Sequence, residues 1–411
     1  MSFRLNFGKT RKVIICIFLV LAAFSGGYYF GVNGYKARLN NALQVQLDRQ
    51  VPPGKNVDFS LFWQVWDTLS SKYYDKSKLV PSQMVYGAIE GMVSSLGDPY
   101  TMFLPPSQNK IVNDQLNGSF EGVGIEIGYK DSNLVVIAPL AGSPAEKAGV
   151  KAGDFIIKIK DVKKNLDIDT QGLGIDEAVT DIKGPAGTTV TLTLLRSGNP
   201  NPIVVDITRA RINVPSITLS WVGQDSNIAD IKIADFGSQT NSEWDNVVNQ
   251  IRQKNRVDGI IIDLRNNPGG YLESAVHIAS DFVPEGTTVV IQKNGDGSEQ
   301  DYKSQELPRL LNYKVVVLIN GGSASASEIL SGALRDDREI KLVGEKSFGK
   351  GTIQDPIDIP GGSGLHVTTA KWLTPNGTWV NGVGLTPDIL VTSKSTDTSD
   401  VQLDTALKLF Q

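Results

Sequence analysis

Two uninterrupted apolar runs limit what this 411-residue chain can fold into: Gly259-Ile260-Ile261-Ile262-Asp263-Leu264 and Val315-Val316-Val317-Leu318-Ile319. Neither alternates apolar with polar residues, so neither reads as a strand with one wet face; each reads as a strand covered on both sides. Stretches with helical spacing separate such runs. They span Ser242 to Lys254, Leu272 to Phe282 and Ala324 to Leu334, and Ile228 to Ile233 supplies a further strand. From residue 212 to 391 the pattern predicts an α/β domain whose sheet is covered by helices.

The rest of the chain is organised differently. Residues 109–211 carry short β-rich runs, among them Leu134 to Ile137, Asp154 to Ile159 and Val190 to Leu195, and read as one α+β module. Within it a helix should start at Pro144, capped by Ser143. Residues 58–108 read as a helical subdomain: apolar residues recur at helical spacing from Phe59 to Leu96, and Gly97-Asp98-Pro99 breaks the pattern. Residues 36–57 form a polar linker, and 392–411 a tail with a short final helix. The first 35 residues hold Arg4, Lys9, Arg11 and Lys12, followed by an uncharged run from Val13 to Val32, 20 residues long. That length suits a helix crossing a bilayer, and the basic flank orients the remainder outward. With no A-x-A cleavage site, an uncleaved anchor is expected rather than a signal peptide.

Composition removes several kinds of chemistry. The single cysteine, Cys16, rules out an intramolecular disulfide and a cysteine-based metal site. No set of His, Cys, Asp and Glu has ligand spacing, so no metal is expected. With a net charge of −4 and no long basic stretch, nucleic acid is not an expected ligand. Only His277 and His366 are available as imidazole bases. His277 falls among Ala275, Val276, Ile278 and Ala279 in a helix, and His366 in a short strand pattern, so both read first as structural residues.

Three segments are candidates for chemistry. In Asn320-Gly321-Gly322-Ser323-Ala324-Ser325-Ala326-Ser327-Glu328 a strand turns into a helix, a place where a hydroxyl meets free amides and the positive end of a helix dipole. It reads equally as ordinary capping, with Glu328 in the first turn. In Gly349-Lys350-Gly351 a lysine stands between glycines, with Gln354 on the same face if the segment is extended. Such a lysine serves as a base only if burial keeps it neutral, and it reads equally as a solvated turn residue. In Asp263-Leu264-Arg265-Asn266-Asn267-Pro268-Gly269-Gly270 a glycine pair follows a buried strand and could turn amides toward an oxyanion. A plain turn is the alternative.

Together these segments, with Leu373-Thr374-Pro375-Asn376-Gly377 and Gly384-Leu385-Thr386-Pro387-Asp388, resemble the C-terminal processing peptidases, or tail-specific proteases, over residues 58 to 391. The resemblance implies a serine-type endopeptidase with Ser325 as nucleophile, Lys350 as base, Gln354 as its partner, and the amides of Gly270 (or Gly269) and Ala326 as the oxyanion hole. It also points to Asp336, eleven residues past the serine; a helical rise of about 16 Å makes that residue a support rather than a relay. The 109–211 module resembles a PDZ domain, with Gly122-Val123-Gly124-Ile125 as the loop that holds a peptide's C-terminal carboxylate. Relatives often have arginine where this chain has Lys183, which keeps the charge without the fork geometry of a PDZ gating contact.

The expected protein is a multidomain α+β and α/β peptidase in the bacterial cell membrane, with its catalytic part outside the cytoplasm, or secreted if the leader is cleaved. It needs no cofactor, takes protein substrates by their C-terminal tails, and leaves open a homodimer and a regulatory partner. A silent PDZ scaffold on the same fold, a serine–histidine hydrolase and a structural envelope protein are the alternatives.

Overall fold

A computed structural model describes residues 18, 20–28, 35–39, 45–49, 58–130, 133–140, 142–394 and 397–411. Half of the expected membrane run lies outside the described residues; within it, residues 18 and 20–28 are helical. Among the described residues no helix is long and apolar enough to cross a membrane. The chain divides into two units, Met1–Val85 and Tyr86–Gln411. The first holds an antiparallel hairpin, Tyr35–Leu39 with Val45–Arg49, and the helix Ser60–Lys72. That helix buries no residue, and its aromatic side chains contact one another, Phe62 and Trp63 edge to face with ring centroids 5.0 Å apart.

In the second unit the two apolar runs lie at the middle of a six-stranded sheet. Its strands follow one another across the sheet in chain order: Ile217–Val222, Ile228–Ile233, Gly259–Asp263, Val315–Ile319, Lys341–Gly344 and Ile389–Leu390. All neighbours after the first pair are parallel. Strands added in a single direction by right-handed crossovers place every crossover helix on one face. The core follows this rule. Ile260, Ile262, Val315, Val317 and Ile319 pack with the helices Thr240–Gln253, Leu272–Ser280 and Ala326–Arg338. The alternate residues, Ile261, Val316 and Leu318, turn to the other face. There the final helix, Val401–Lys408, covers them with Leu403, Ala406 and Leu407. The segment expected as a tail is therefore part of the core.

A second, antiparallel sheet was not drawn from the sequence. Its order is Glu299–Lys303, Thr288–Asn294, Ser363–Leu373 and Thr352–Ile359. Met102–Leu104 adds to the long Ser363–Leu373 strand, with Met102 opposite His366. The stretch just after Gly97-Asp98-Pro99, assigned to the helical subdomain, is thus woven into the sheet that follows Lys350.

The 109–211 module is built on a sheet ordered Ile203–Thr208, Thr189–Leu195, Phe155–Asp161, Asn133–Pro139 and Ile125–Lys130. Its core includes Leu134, Val136, Ile156, Ile159 and Leu192. Helix Pro144–Lys147 starts as expected, the Ser143 hydroxyl accepting from Glu146 N at 3.2 Å. A two-stranded ribbon, Ser119–Gly122 with Ala210–Asn213, marks where the chain enters and leaves.

Candidate active site

The three chemistry-bearing segments follow the C-terminal ends of three adjacent parallel strands, Gly259–Asp263, Val315–Ile319 and Lys341–Gly344. This is where open α/β sheets place their sites. Hydrogen bonds then lace the segments together. Ala324 N donates to Asn267 O at 3.0 Å and Phe348 N to Ser323 O at 2.9 Å. Ser327 Oγ donates to Asn267 O at 2.9 Å, and Ser323 Oγ to Leu264 O at 2.8 Å.

Ser325 is the residue before the first turn of helix Ala326–Arg338, and its backbone has φ 54° and ψ −116°. Few residues other than glycine adopt such a conformation, and a strained strand-to-helix turn of this kind projects a hydroxyl from the helix start. What holds the turn is Glu328. Its carboxylate is fully buried. Oε2 accepts from Ser325 N at 3.0 Å and from Lys350 N at 2.8 Å. Oε1 accepts from Gly349 N at 2.8 Å and from Ser347 Oγ at 2.6 Å. A buried carboxylate with four donors is well compensated. One anion thus ties the backbone of the serine to that of the lysine. The sequence reading gave Glu328 only a place in the first turn. The Ser-x-x-Glu spacing was visible, but its partners 19 to 22 residues away were not.

Lys350 is held by its neighbours' backbone and rings. Its carbonyl accepts from Trp372 Nε1 at 3.0 Å, and that of Gly351 from Trp379 Nε1 at 2.8 Å. Gly349 has φ 91°, and a Cβ there would come within 2.8 Å of Gly384 N, so only glycine fits that position. The Lys350 ammonium lies 5.2 Å from the centre of the Tyr100 ring. Burial pushes the lysine below its usual range, against an opposing pull from Asp98.

The Asn266–Gly270 loop presses on the serine from the other side. A Cβ on Gly269, whose φ is 105°, would come within 2.7 Å of Ser325 Cβ and 3.1 Å of Ala326 N. The Gly269 amide is taken by Asn267 Oδ1 at 2.8 Å. Gly270 forms a parallel bridge with Phe236 through the groups on either side of it, Gly269 O and Tyr271 N. Among the described residues the amides of Gly270 and Ala326 have no acceptor. Two unspent amides flanking a serine suit an oxyanion.

Gln354 follows Lys350 into the strand Thr352–Ile359, but the register shifts between Ile353 and Gln354, which breaks simple alternation. Its amide nitrogen donates to Thr352 Oγ1 at 2.9 Å and Thr368 Oγ1 at 3.2 Å. Asp336 accepts from Thr374 Oγ1 and, at 3.2 Å, from Asn376 N, and so holds the Thr374–Asn376 turn. His277 contacts Asp245 Oδ1 at 3.3 Å on the helix Leu272–Ser280. His366 is held below its usual value by burial first and by the Lys350 charge second.

In the smaller module the carbonyls of Val123 and Gly124 accept from Ala145 N and Leu140 N, both at 2.9 Å. Among the described residues the amides of Val123 and Gly124 have no acceptor. The next strand, Ile125–Lys130, is at the edge of its sheet. Lys183 caps the helix Ile175–Ile182, its ammonium 5.3 Å over the Phe120 ring, on the wall of a 560 Å³ cavity lined also by Ile111, Pro185 and Val214.

Three family descriptions match the chain in succession: the activating protease CtpB N-terminal domain over residues 19–106, the PDZ domain over 111–195 and peptidase family S41 over 227–391. The chain is 36% identical to the carboxy-terminal processing protease CtpA of Bacillus subtilis over 328 residues, covering 79% of this chain and 67% of that protein. It is 33% identical to CtpB of the same organism over 383 residues, covering 93% and 78%. The crystal structure of a putative S41 protease from Bacteroides fragilis has the same fold, with a TM-score of 0.56 at 15% identity, over 88% of this chain and 98% of that one. A strained serine and a half-buried lysine on adjoining loops, set beside a PDZ module, agree with these likenesses, and the chain belongs to the carboxy-terminal processing proteases of peptidase family S41.

Proposed function

We propose that Ser325 is the nucleophile of this protease and that Lys350, in its neutral form, is the general base. Lys350 Nζ takes the hydroxyl proton as Ser325 Oγ bonds to the carbonyl carbon of the scissile peptide. The carbonyl oxygen, now negative, is received by the Gly270 and Ala326 amides. The ammonium returns its proton to the leaving nitrogen as the C–N bond breaks. Water, deprotonated by the same amine, then releases the acyl group. Gln354, whose amide nitrogen is taken by two threonines, keeps its carbonyl oxygen for the ammonium. Asp336 supports the neighbouring turn. The observation that carries this reading is the buried Glu328 carboxylate shared between Ser325 N and Lys350 N. Ser325→Ala and Lys350→Ala should each abolish cleavage of an unstructured protein with an apolar C-terminal tail. A His277→Asn/His366→Asn double variant should keep it. Cleavage by either alanine variant at the wild-type rate would refute the assignment.

The PDZ module is proposed to take the substrate's C-terminal carboxylate on the Val123 and Gly124 amides, the tail pairing along Ile125–Lys130 as an added strand. Lys183, against Phe120 on the cavity wall, is proposed to link that binding to the protease domain. The basic flank and the 20-residue apolar run support an anchor in the bacterial cell membrane, with the protease outside the cytoplasm. The exposed Phe59, Leu61 and Trp63 support self-association through the N-terminal helix. Protease accessibility of membrane vesicles and sedimentation of the detergent-solubilised chain test these two points.

A further inference from the structure

The turn after helix Pro81–Ser94 reaches the lysine from a distant part of the chain. Asp98 Oδ1 accepts from Tyr100 N at 3.0 Å, and Oδ2 accepts from Thr101 Oγ1 at 2.7 Å. Thr101 Oγ1 in turn accepts from Thr368 N at 3.0 Å, 267 residues away. Thr368 Oγ1 receives the Gln354 amide at 3.2 Å. The Tyr100 ring faces the Lys350 ammonium at 5.2 Å. Asp98, Tyr100, Thr101, Thr368 and Gln354 therefore make one connected network that ends in the ring over the amine.

The charged and titratable groups on that amine come from several elements. Asp98 and Tyr100 belong to the turn, and His366 to the strand Ser363–Leu373. Glu328 lies behind the Lys350 backbone and bears on Tyr100. Asp98 is the anion that acts on the lysine: burial would raise its carboxyl, but hydrogen bonds from Thr368, Thr101 and Tyr100 outweigh burial and keep it ionised.

We infer that Asp98 is a positioning residue for the general base: through the Tyr100 amide and the Thr101 hydroxyl it fixes the turn that lays the Tyr100 ring over the Lys350 amine, and it sets a carboxylate behind that ring. This rests on Lys350 being the base. The sign follows directly. A nearby anion favours the ammonium, so removing the charge frees the amine at lower pH.

The test is the pH dependence of kcat/KM for the full chain on an apolar-tailed unfolded protein, in wild type and Asp98→Asn. Asparagine keeps an oxygen for the Tyr100 amide; besides the charge it loses the acceptor of the Thr101 hydroxyl, which can turn to accept from the new side-chain amide instead. Its acid limb should move to lower pH by about half a unit to one unit. On that limb kcat/KM, relative to its own plateau, should be about 3- to 10-fold higher. KM should be unchanged, and the plateau should fall because the base is weaker. A second reading free of catalysis is the NMR titration of 13C-labelled lysine in the Ser325→Ala protein, the Lys350 signal assigned by its loss in a Lys350→Ala variant. Its midpoint should fall with Asp98→Asn and stay near wild type with Asp98→Glu. If Asp98→Asn does not fold, Asp98→Ser, also neutral and able to accept from Tyr100 N, replaces it. Unmoved midpoints in both measurements would overturn the inference while leaving Lys350 as base. Full activity in Lys350→Ala would instead overturn the Ser/Lys assignment.

Discussion

Glu328 ties the backbones of the serine and the lysine loops to one carboxylate. Its carboxylate is fully buried and receives four donors, two of them the amides of Ser325 and Lys350. Glu328→Gln removes the charge and turns one acceptor into a donor facing N–H groups. Such a buried loss costs about 2–4 kcal/mol. We predict a lower Tm and a kcat reduced by at least about tenfold with KM little changed, since the damage falls on the reacting groups rather than on tail binding. Calorimetry and steady-state kinetics on one preparation check both. Gly269 makes a similar point by contact: with Ser325 Cβ 2.7 Å from where its own Cβ would stand, Gly269→Ala should inactivate the enzyme by displacing Ser325, although Gly269 has no side chain of its own to react.

Among the secondary-structure elements, the helix Val401–Lys408 ties the far face of the sheet to the Asn266–Gly270 loop. Asp400, before its first turn, pairs with Arg265 at 2.8 Å, and Arg265 also holds Asp263 at the end of the central strand. Close by, Phe410 fills the space that a side chain on Gly259 would need, its ring 2.1 Å from that Cβ position. Gly259→Ala should therefore displace Phe410 and lower stability by about 1–3 kcal/mol. Combined with Phe410→Ala it should cost less than the sum of the two, because the clash is gone. Urea denaturation of the three variants measures this. Element by element, legibility in the sequence followed composition. The strands Gly259–Asp263 and Val315–Ile319 were plain because every residue in them is buried. Of Ser363–Leu373 only the stretch around His366 was, and Thr352–Ile359 was not, because they mix polar with apolar residues and the latter includes Pro356. Met102–Leu104 is three residues long and pairs far along the chain, which no local pattern records.

On the scale of the whole molecule, the PDZ module and the protease domain share one unit, joined through the ribbon of Ser119–Gly122 and Ala210–Asn213. The Val123–Gly124 loop begins where that ribbon ends. Gly124 has φ 76°, and a side chain there would come within 2.5 Å of Ser143 Cβ and 2.9 Å of Ile212 Cδ1, the latter on the ribbon itself. Gly124→Val should raise KM for an apolar-tailed protein by roughly tenfold or more and lower kcat at saturation much less. A parallel fall of kcat and kcat/KM would instead mean that the ribbon passes the disturbance to the active site.

The sequence by itself determined the parts: an α/β domain, an α+β module, a serine and a glycine pair each placed after a recognisable strand, and a lysine between two glycines, with the protease and PDZ readings added by the family resemblance. It did so because apolar runs, capping residues and glycine turns are local signals. Only the tertiary structure decided their meeting. Adjacent parallel strands bring three distant loops to one sheet edge, and the buried carboxylate of Glu328 ties two of them by their backbones. The lysine's surroundings were also settled there, by a turn at Asp98–Thr101 bonded to a strand 267 residues on. Burial and charge act through space, and the spacing of residues along a chain does not record which side chains will share it.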